Sequence, residues 1–221
     1  MKFEMTYNNQ DISYIPLAMI LMGITVVLAN VLIQYPLNFL GLENFLTWGA
    51  FLFPMTLAIC DLTNRRYGPS LARSVVYVGF ISALIISWFL ATPRIAIAAG
   101  FAFLIGQLLD IYVFNPLRQK AWWIAPTAAS IAGTLVDTIL FFTIAFAPLF
   151  GFLDIWTIGE DKSLGFLVNA FGFEVPLWLS LIIGGFWMKM AVALITVLPL
   201  YGAFLAIFAP QVYKTGKFKS N

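Results

Sequence analysis

Asp110, Asp137 and Lys189 are ionisable residues set inside long apolar stretches, "AIAAGFAFLIGQLLDIYVF" (96–114), "APTAASIAGTLVDTILF" (125–141) and "GGFWMKMAV" (184–192). Ionisable side chains at such positions bind ligands or ions, relay protons, or neutralise one another, because an isolated charge in lipid costs several kcal/mol. The two aspartates share a setting. Ala98, Ala102, Gly106, Asp110 and Phe114 are matched at the same spacing by Ala125, Ala129, Gly133, Asp137 and Phe141. Steps of four keep side chains near one helix face, and small residues let helices approach closely in a bilayer, so both aspartates should face a bundle interior. Folding the two stretches about Arg118 puts Asp110 eight residues and Asp137 nineteen residues from the turn. That is a depth difference of about 16 Å, which suits stations along a route better than an acid/base dyad. Lys189, nineteen residues before Phe208, falls at the depth of Asp137, and the two are expected to pair.

The elements that hold these residues follow from composition. The chain has 221 residues, 62% hydrophobic and 10% charged, with no histidine. It reads as an integral membrane protein in which carboxylates must carry any proton chemistry. No cofactor and no nucleic-acid partner is expected; the lipid bilayer is. Cys60 reads as a small buried side chain, since it has no second cysteine to pair with. Apolar runs place six spans near 15–37, 46–63, 72–91, 95–116, 123–149 and 177–208, an all-α six-helix membrane bundle. Residues 1–14 and 209–221 are left as tails around a transporter-like domain at 15–208. The last span is long and holds Gly184, Gly185 and Pro199, so a kink, a tilt or an interfacial helix, best placed at 164–176, is expected. Lys2, Arg65, Arg66, Arg73, Arg118, Lys120, Lys214, Lys217 and Lys219 fall on the side of both termini, against Arg94 and Lys162 opposite, so both termini are expected in the cytoplasm.

Other polar residues are weaker signals. Gln107 lies one turn from Asp110, and Asn30 and Gln34 lie late in the first span; each is a ligand contact or a helix-to-helix hydrogen bond. In "CDLTNRRYGPSLAR" (60–73), Asp61, Asn64, Arg65, Arg66 and Arg73 form a cytoplasmic gate or a charge belt, with the belt favoured for Arg65 and Arg66. Small-residue faces suggest a homodimer.

The runs "CDLTNRRYGPSLARSVVYVG", "GQLLDIYVFNPLRQKAWWIAPTAASIAGTLVDTILFFTIAF" and "MKMAVALITVLPLYGAFLA" resemble the queuosine precursor transporter family, also called the vitamin uptake transporter family. The resemblance implies an inner-membrane importer of 7-deazaguanine bases, the 7-cyano or 7-aminomethyl precursors of queuosine. It also implies a distant likeness to substrate-binding subunits of energy-coupling-factor vitamin transporters. Positions matching the family's polar motif are Asn30, Asp61, Tyr67, Gly68, Arg73, Gln107, Asp110, Asp137 and Lys189, with substrate contacts expected at Asn30, Gln107, Asp110, Asp137 and Lys189 and gating or structural roles at Asp61, Tyr67 and Arg73. Thr134 stands where many relatives carry an amide. The chain lacks a P-loop, and proton coupling and facilitated diffusion remain open as driving forces.

Overall fold

The computed structural model describes residues 14–32, 35, 48–90, 92–156, 167–170 and 173–215. Gln34, most of the N-terminal tail and residues 216–221 lie outside them. The helices are α1 (Tyr14–Leu32), α2 (Gly49–Tyr67), α3 (Pro69–Leu90), α4 (Pro93–Leu117), α5 (Ile124–Phe146), α6 (Leu177–Val192), α7 (Leu198–Phe208) and α8 (Pro210–Thr215). A π-helical turn, Ala193–Val197, joins α6 to α7 into one rod. Four helices and the stretch Ile182–Ile207 are long and apolar enough to cross a membrane. At 19 residues α2 matches α1 in length, but Asp61, Arg65 and Arg66 dilute its apolar character. It also runs four residues beyond the expected span end at 63 and so takes Arg65 and Arg66 into the helix.

Local chemistry sets the boundaries. Gly68 turns α2 into α3 with φ of 89°, a region only glycine occupies without strain, while its N–H closes on Asn64 O at 2.9 Å. Pro69 then opens α3, where its missing N–H costs nothing. Thr92 caps α4 by accepting from the Ile95 N–H, with Pro93 in the first turn. At that same end the guanidinium of Arg94 donates to Ile144 O and Ala147 O, supplying cationic donors to the last carbonyls of α5.

The antiparallel pair α4 and α5 is the heart of the bundle, and the small-residue ladders make it. A Cβ added to Gly106 would sit 2.9 Å from Gly133 O and 2.9 Å from Asp137 Cβ; one added to Gly133 would meet Gly106 O at 2.9 Å and Asp110 Cβ at 3.2 Å. The two ladders therefore cross at Gly106 and Gly133 and are related by a local two-fold rotation, each aspartate lying beside the other helix's glycine. Phe114 is buried on Ala125 and Ala129 at one end of the crossing. The small-residue ladders of α4 and α5 are thus covered within one chain. On the other side of α4, α3 and α1 pack through Met22, Val26, Val75, Val76 and Phe103.

Two departures from the sequence expectation lie between α5 and α6. The described residues of 164–176 hold strands where an interfacial helix is expected: Leu167–Ala170 (β1) and Phe173–Pro176 (β2) pair antiparallel, Val168 opposite Val175. Phe173, Val175 and Val168 are residues that favour strands, and Pro176 ends the ladder where α6 begins. A 3-10 segment, Pro148–Trp156, follows α5. The irregularity expected in the long last span is the π-turn. Pro199 has no N–H to give to Ile195 O and its ring crowds that carbonyl, and the Leu198 N–H reaches back five residues to Ala193 O.

Candidate functional site

Asp137 and Lys189 meet where the sequence places them. Lys189 Nζ donates to Asp137 Oδ2 at 2.7 Å, with Thr138 Oγ1 at 3.4 Å and the Phe53 ring centroid at 4.2 Å. Their side chains are 21% and 7% exposed, so the carboxylate is the deeper partner. The pair offers an anionic acceptor and a cationic donor side by side over an aromatic face. Phe53 was not legible as part of it, because one aromatic among 22 phenylalanines carries no signal.

Beside this pair a narrow crevice runs toward the basic end of the bundle, the end holding Arg65, Arg66, Arg118 and Lys120. Its walls are Pro54, Ala58 and Asp61 of α2, Pro126, Thr127 and Ser130 of α5, and Met190 through Tyr201 of the α6–π–α7 rod. Its volume is about 20 Å³, room for a water molecule and not for a bicyclic base. The carboxylate facing it is Asp61, with Asp110 behind on α4.

Asp61 and Asp110 form the second charged centre. They are 1% and 0% exposed, and their carboxyl groups lie against each other between α2 and α4. Among the described residues no donor reaches Asp61 Oδ1, either oxygen of Asp110, Asn64 Oδ1 or Gln107 Oε1. The donor ends of the two amides point elsewhere: Asn64 Nδ2 to Ile111 O at 3.4 Å and Gln107 Nε2 to Thr56 Oγ1 at 2.9 Å. The Gly106–Gly133 crossing sets Asp110 beside Gly133, four residues from Asp137 along α5. This separates the two aspartates by about 6 Å in depth, less than the 16 Å obtained by folding at Arg118 because the true fold axis lies later in the chain.

Arg65 closes the basic end. It is 2% exposed, and donates from Nε to Tyr201 Oη at 2.7 Å, from Nη1 to Arg118 O at 2.9 Å and from Nη2 to Trp122 O at 3.1 Å, with Phe114 beneath the guanidinium. Arg118 Nη2 returns a bond to Arg65 O at 2.7 Å. Of the two arginines expected in a charge belt, Arg66 is exposed and Arg65 is not. Arg65 is a buried latch tying α2 to α7 and to the α4–α5 turn.

A family model described as "Putative vitamin uptake transporter" matches residues 47–92 and 86–204. The chain belongs to this family. It is 32% identical over 198 residues, 80% of each chain, to the queuosine precursor transporter of Escherichia coli (strain K12). It is 40% identical over 121 residues to the "Probable queuosine precursor transporter" of Haemophilus influenzae (strain ATCC 51907 / DSM 11121 / KW20 / Rd), covering 45% of this chain and 52% of that one. A Bacillus subtilis (strain 168) protein of the same description is 24% identical over 162 residues. No solved structure matches. These relatives are transporters by name, not enzymes.

Not every polar motif position converges on the crevice. Asn30 donates to Val26 O at 2.9 Å and accepts from Ser87 Oγ at 2.8 Å, joining α1 to α3. Arg73 is exposed on α3, and Tyr67 is buried under the Arg66 guanidinium at the end of α2. Tyr112 and Trp187 point outward, and Phe103 and Phe114 are packed into the core clusters.

Proposed function

We propose that this protein imports 7-deazaguanine precursors of queuosine across the bacterial inner membrane, with α1 to α5 and the α6–π–α7 rod making six crossings and both termini in the cytoplasm. The observation that carries this reading is the likeness to the Escherichia coli queuosine precursor transporter over 80% of both chains. The basic residues gathered at one end support the orientation. The transporting unit is residues 15–208, flanked by the short tails.

The chemistry of the Asp137–Lys189 pair suits the ligand. The edge of a guanine-type base places a carbonyl oxygen next to a ring N–H and an exocyclic amino group. A carboxylate accepts the two N–H donors in a bidentate pair, and an ammonium donates to the carbonyl. Asp137 and Lys189 therefore read that edge together, and the Phe53 ring offers a face for stacking. Gln107, Asp110 and Asp61 lie on the cytoplasmic side of this site, beyond which the Arg65 latch must open for release. At about 20 Å³ the crevice is closed to the base, so transport requires the rod carrying Lys189 and Tyr201 to move against α2 and α5.

The test is uptake of radiolabelled 7-cyano-7-deazaguanine by proteoliposomes containing only this chain. Saturable uptake, competed by the 7-aminomethyl base and lost in Asp137→Asn, is expected. Folded protein that takes up nothing alone but does so with an added ATPase pair would overturn this reading in favour of a binding subunit of an energy-coupling-factor complex.

A further inference from the structure

We propose that Asp61 and Asp110 form a binding site for one exchangeable proton, whose loading from the crevice and release at the Arg65 latch drive uptake. The driving role rests on the importer reading above; the proton site stands on geometry alone.

The first argument is a charge count. The Asp137–Lys189 pair is neutral in itself. Among the fully buried groups at the basic end, two carboxylates, Asp61 and Asp110, face one guanidinium, Arg65, a shortfall of one positive charge, while the half-buried Arg118 turns its Nη2 to Arg65 O. The second is hydrogen bonding. Two carboxyl groups in contact attract each other only when one carries a proton, and here no donor relieves the buried Asp61 and Asp110 oxygens named above. One proton settles both deficits. A metal ion seated between the carboxylates would hold their oxygens apart by two metal–oxygen bonds, so direct contact favours the proton.

The surroundings make the site exchangeable in one direction at a time. Asp61 lines the crevice and Asp110 does not, so a proton enters through Asp61. The other ionisable groups facing the pair are Arg65 and Cys60 on α2 and Tyr201 on α7. α5 offers Thr127 and Ser130 on this side, and α3 presents Ala72, Val75 and Val76 to Cys60 and Ile111. Arg65 lies one turn from Asp61 on the same helix, yet three of its five N–H donors are committed to Tyr201 Oη, Arg118 O and Trp122 O. Withdrawal of α7 and the α4–α5 turn frees Arg65 to swing onto Asp61. The guanidinium then replaces the proton as counter-charge, and the proton leaves to the cytoplasm through the same opening that releases the base.

Two measurements on the full chain in lipid test this. Infrared difference spectroscopy across a pH titration should show a protonated-carboxyl carbonyl band that is absent in Asp61→Asn and in Asp110→Asn and present in Asp137→Asn. In proteoliposomes clamped at zero membrane potential, an inward gradient of one pH unit should concentrate 7-cyano-7-deazaguanine up to about tenfold, the limit for one proton per base. Asp110→Asn should bring that ratio to one. A wild-type chain with no such band, or one whose band survives both substitutions, overturns the proton site, and accumulation driven by sodium in place of protons overturns its ligand. If the band behaves as expected but the wild-type chain moves no 7-cyano-7-deazaguanine, the importer reading fails and the proton site stands. Both wild-type measurements decide the matter even if a variant does not fold.

Discussion

Neutralising Lys189 should damage the protein more than neutralising Lys189 and Asp137 together. In Lys189→Met the carboxylate of Asp137 keeps its charge, loses its 2.7 Å partner and, at 7% side-chain exposure, has little access to water. Removing one partner of a buried pair costs about 3–5 kcal/mol, and the lower end applies because Lys189 is partly exposed. Asp137→Asn leaves the ammonium, which at 21% exposure reaches solvent and keeps the Phe53 ring at 4.2 Å. We expect about 1–2 kcal/mol there. With both charges gone, Lys189→Met/Asp137→Asn should cost about 1 kcal/mol, so the coupling is about 3–4 kcal/mol, well beyond the few tenths by which independent sites depart from additivity. Reversible unfolding of the four proteins in detergent, followed as a double-mutant cycle, reads these values. Additive effects, or a double variant less stable than Lys189→Met, would refute the pairing as an energetic unit and with it the argument that Asp137 is held charged for a ligand.

Gly106→Ala should lower stability by about 1–3 kcal/mol, since its Cβ would meet the Gly133 carbonyl at 2.9 Å and backbone cannot yield as a side chain does, while Gly184→Ala, with nothing within 4 Å, should not; thermal unfolding distinguishes them. Tyr201→Phe removes the acceptor of Arg65 Nε and should cost about 1–3 kcal/mol while loosening the basic end, seen as faster hydrogen exchange at the α4–α5 turn. Ser87→Ala breaks only the bond to Asn30 Oδ1, so stability should fall by about 0.6 kcal/mol and uptake should persist; lost uptake would return Asn30 to the ligand.

The sequence carried more of the pairwise geometry than of the site. The four-residue ladders announced the Gly106–Gly133 crossing because tight helix contact in lipid needs small residues at that spacing. Counting residues from the helix ends was enough to match Lys189 with Asp137. Asp61 meets Asp110 across two helices, and no local pattern records which faces of α2 and α4 oppose each other. Arg65 and Arg66 look alike at a membrane edge, yet one residue is a rotation of about 100°, which buries the first and exposes the second. The hairpin at 167–176 was hidden because strands of four residues are too short for alternation to emerge.

The wide turn at Ala193–Val197 acts as a one-residue insertion in an otherwise regular rod, and this shifts the phase of everything beyond it. Along twelve residues of unbroken α-helix, at about 100° each, Tyr201 would stand about 120° around the axis from Lys189; one residue absorbed in the wide turn brings them to about 20°. The ammonium that holds Asp137 and the hydroxyl that holds Arg65 thereby share one meridian of the last crossing. Deleting a single residue such as Thr196 would restore regular hydrogen bonding and leave the latch in line with the ion pair, whereas closing the wide turn at constant length would rotate the latch out of line by about 100°. In this segment the width of one turn, as much as residue identity, is what joins the two ends of the route.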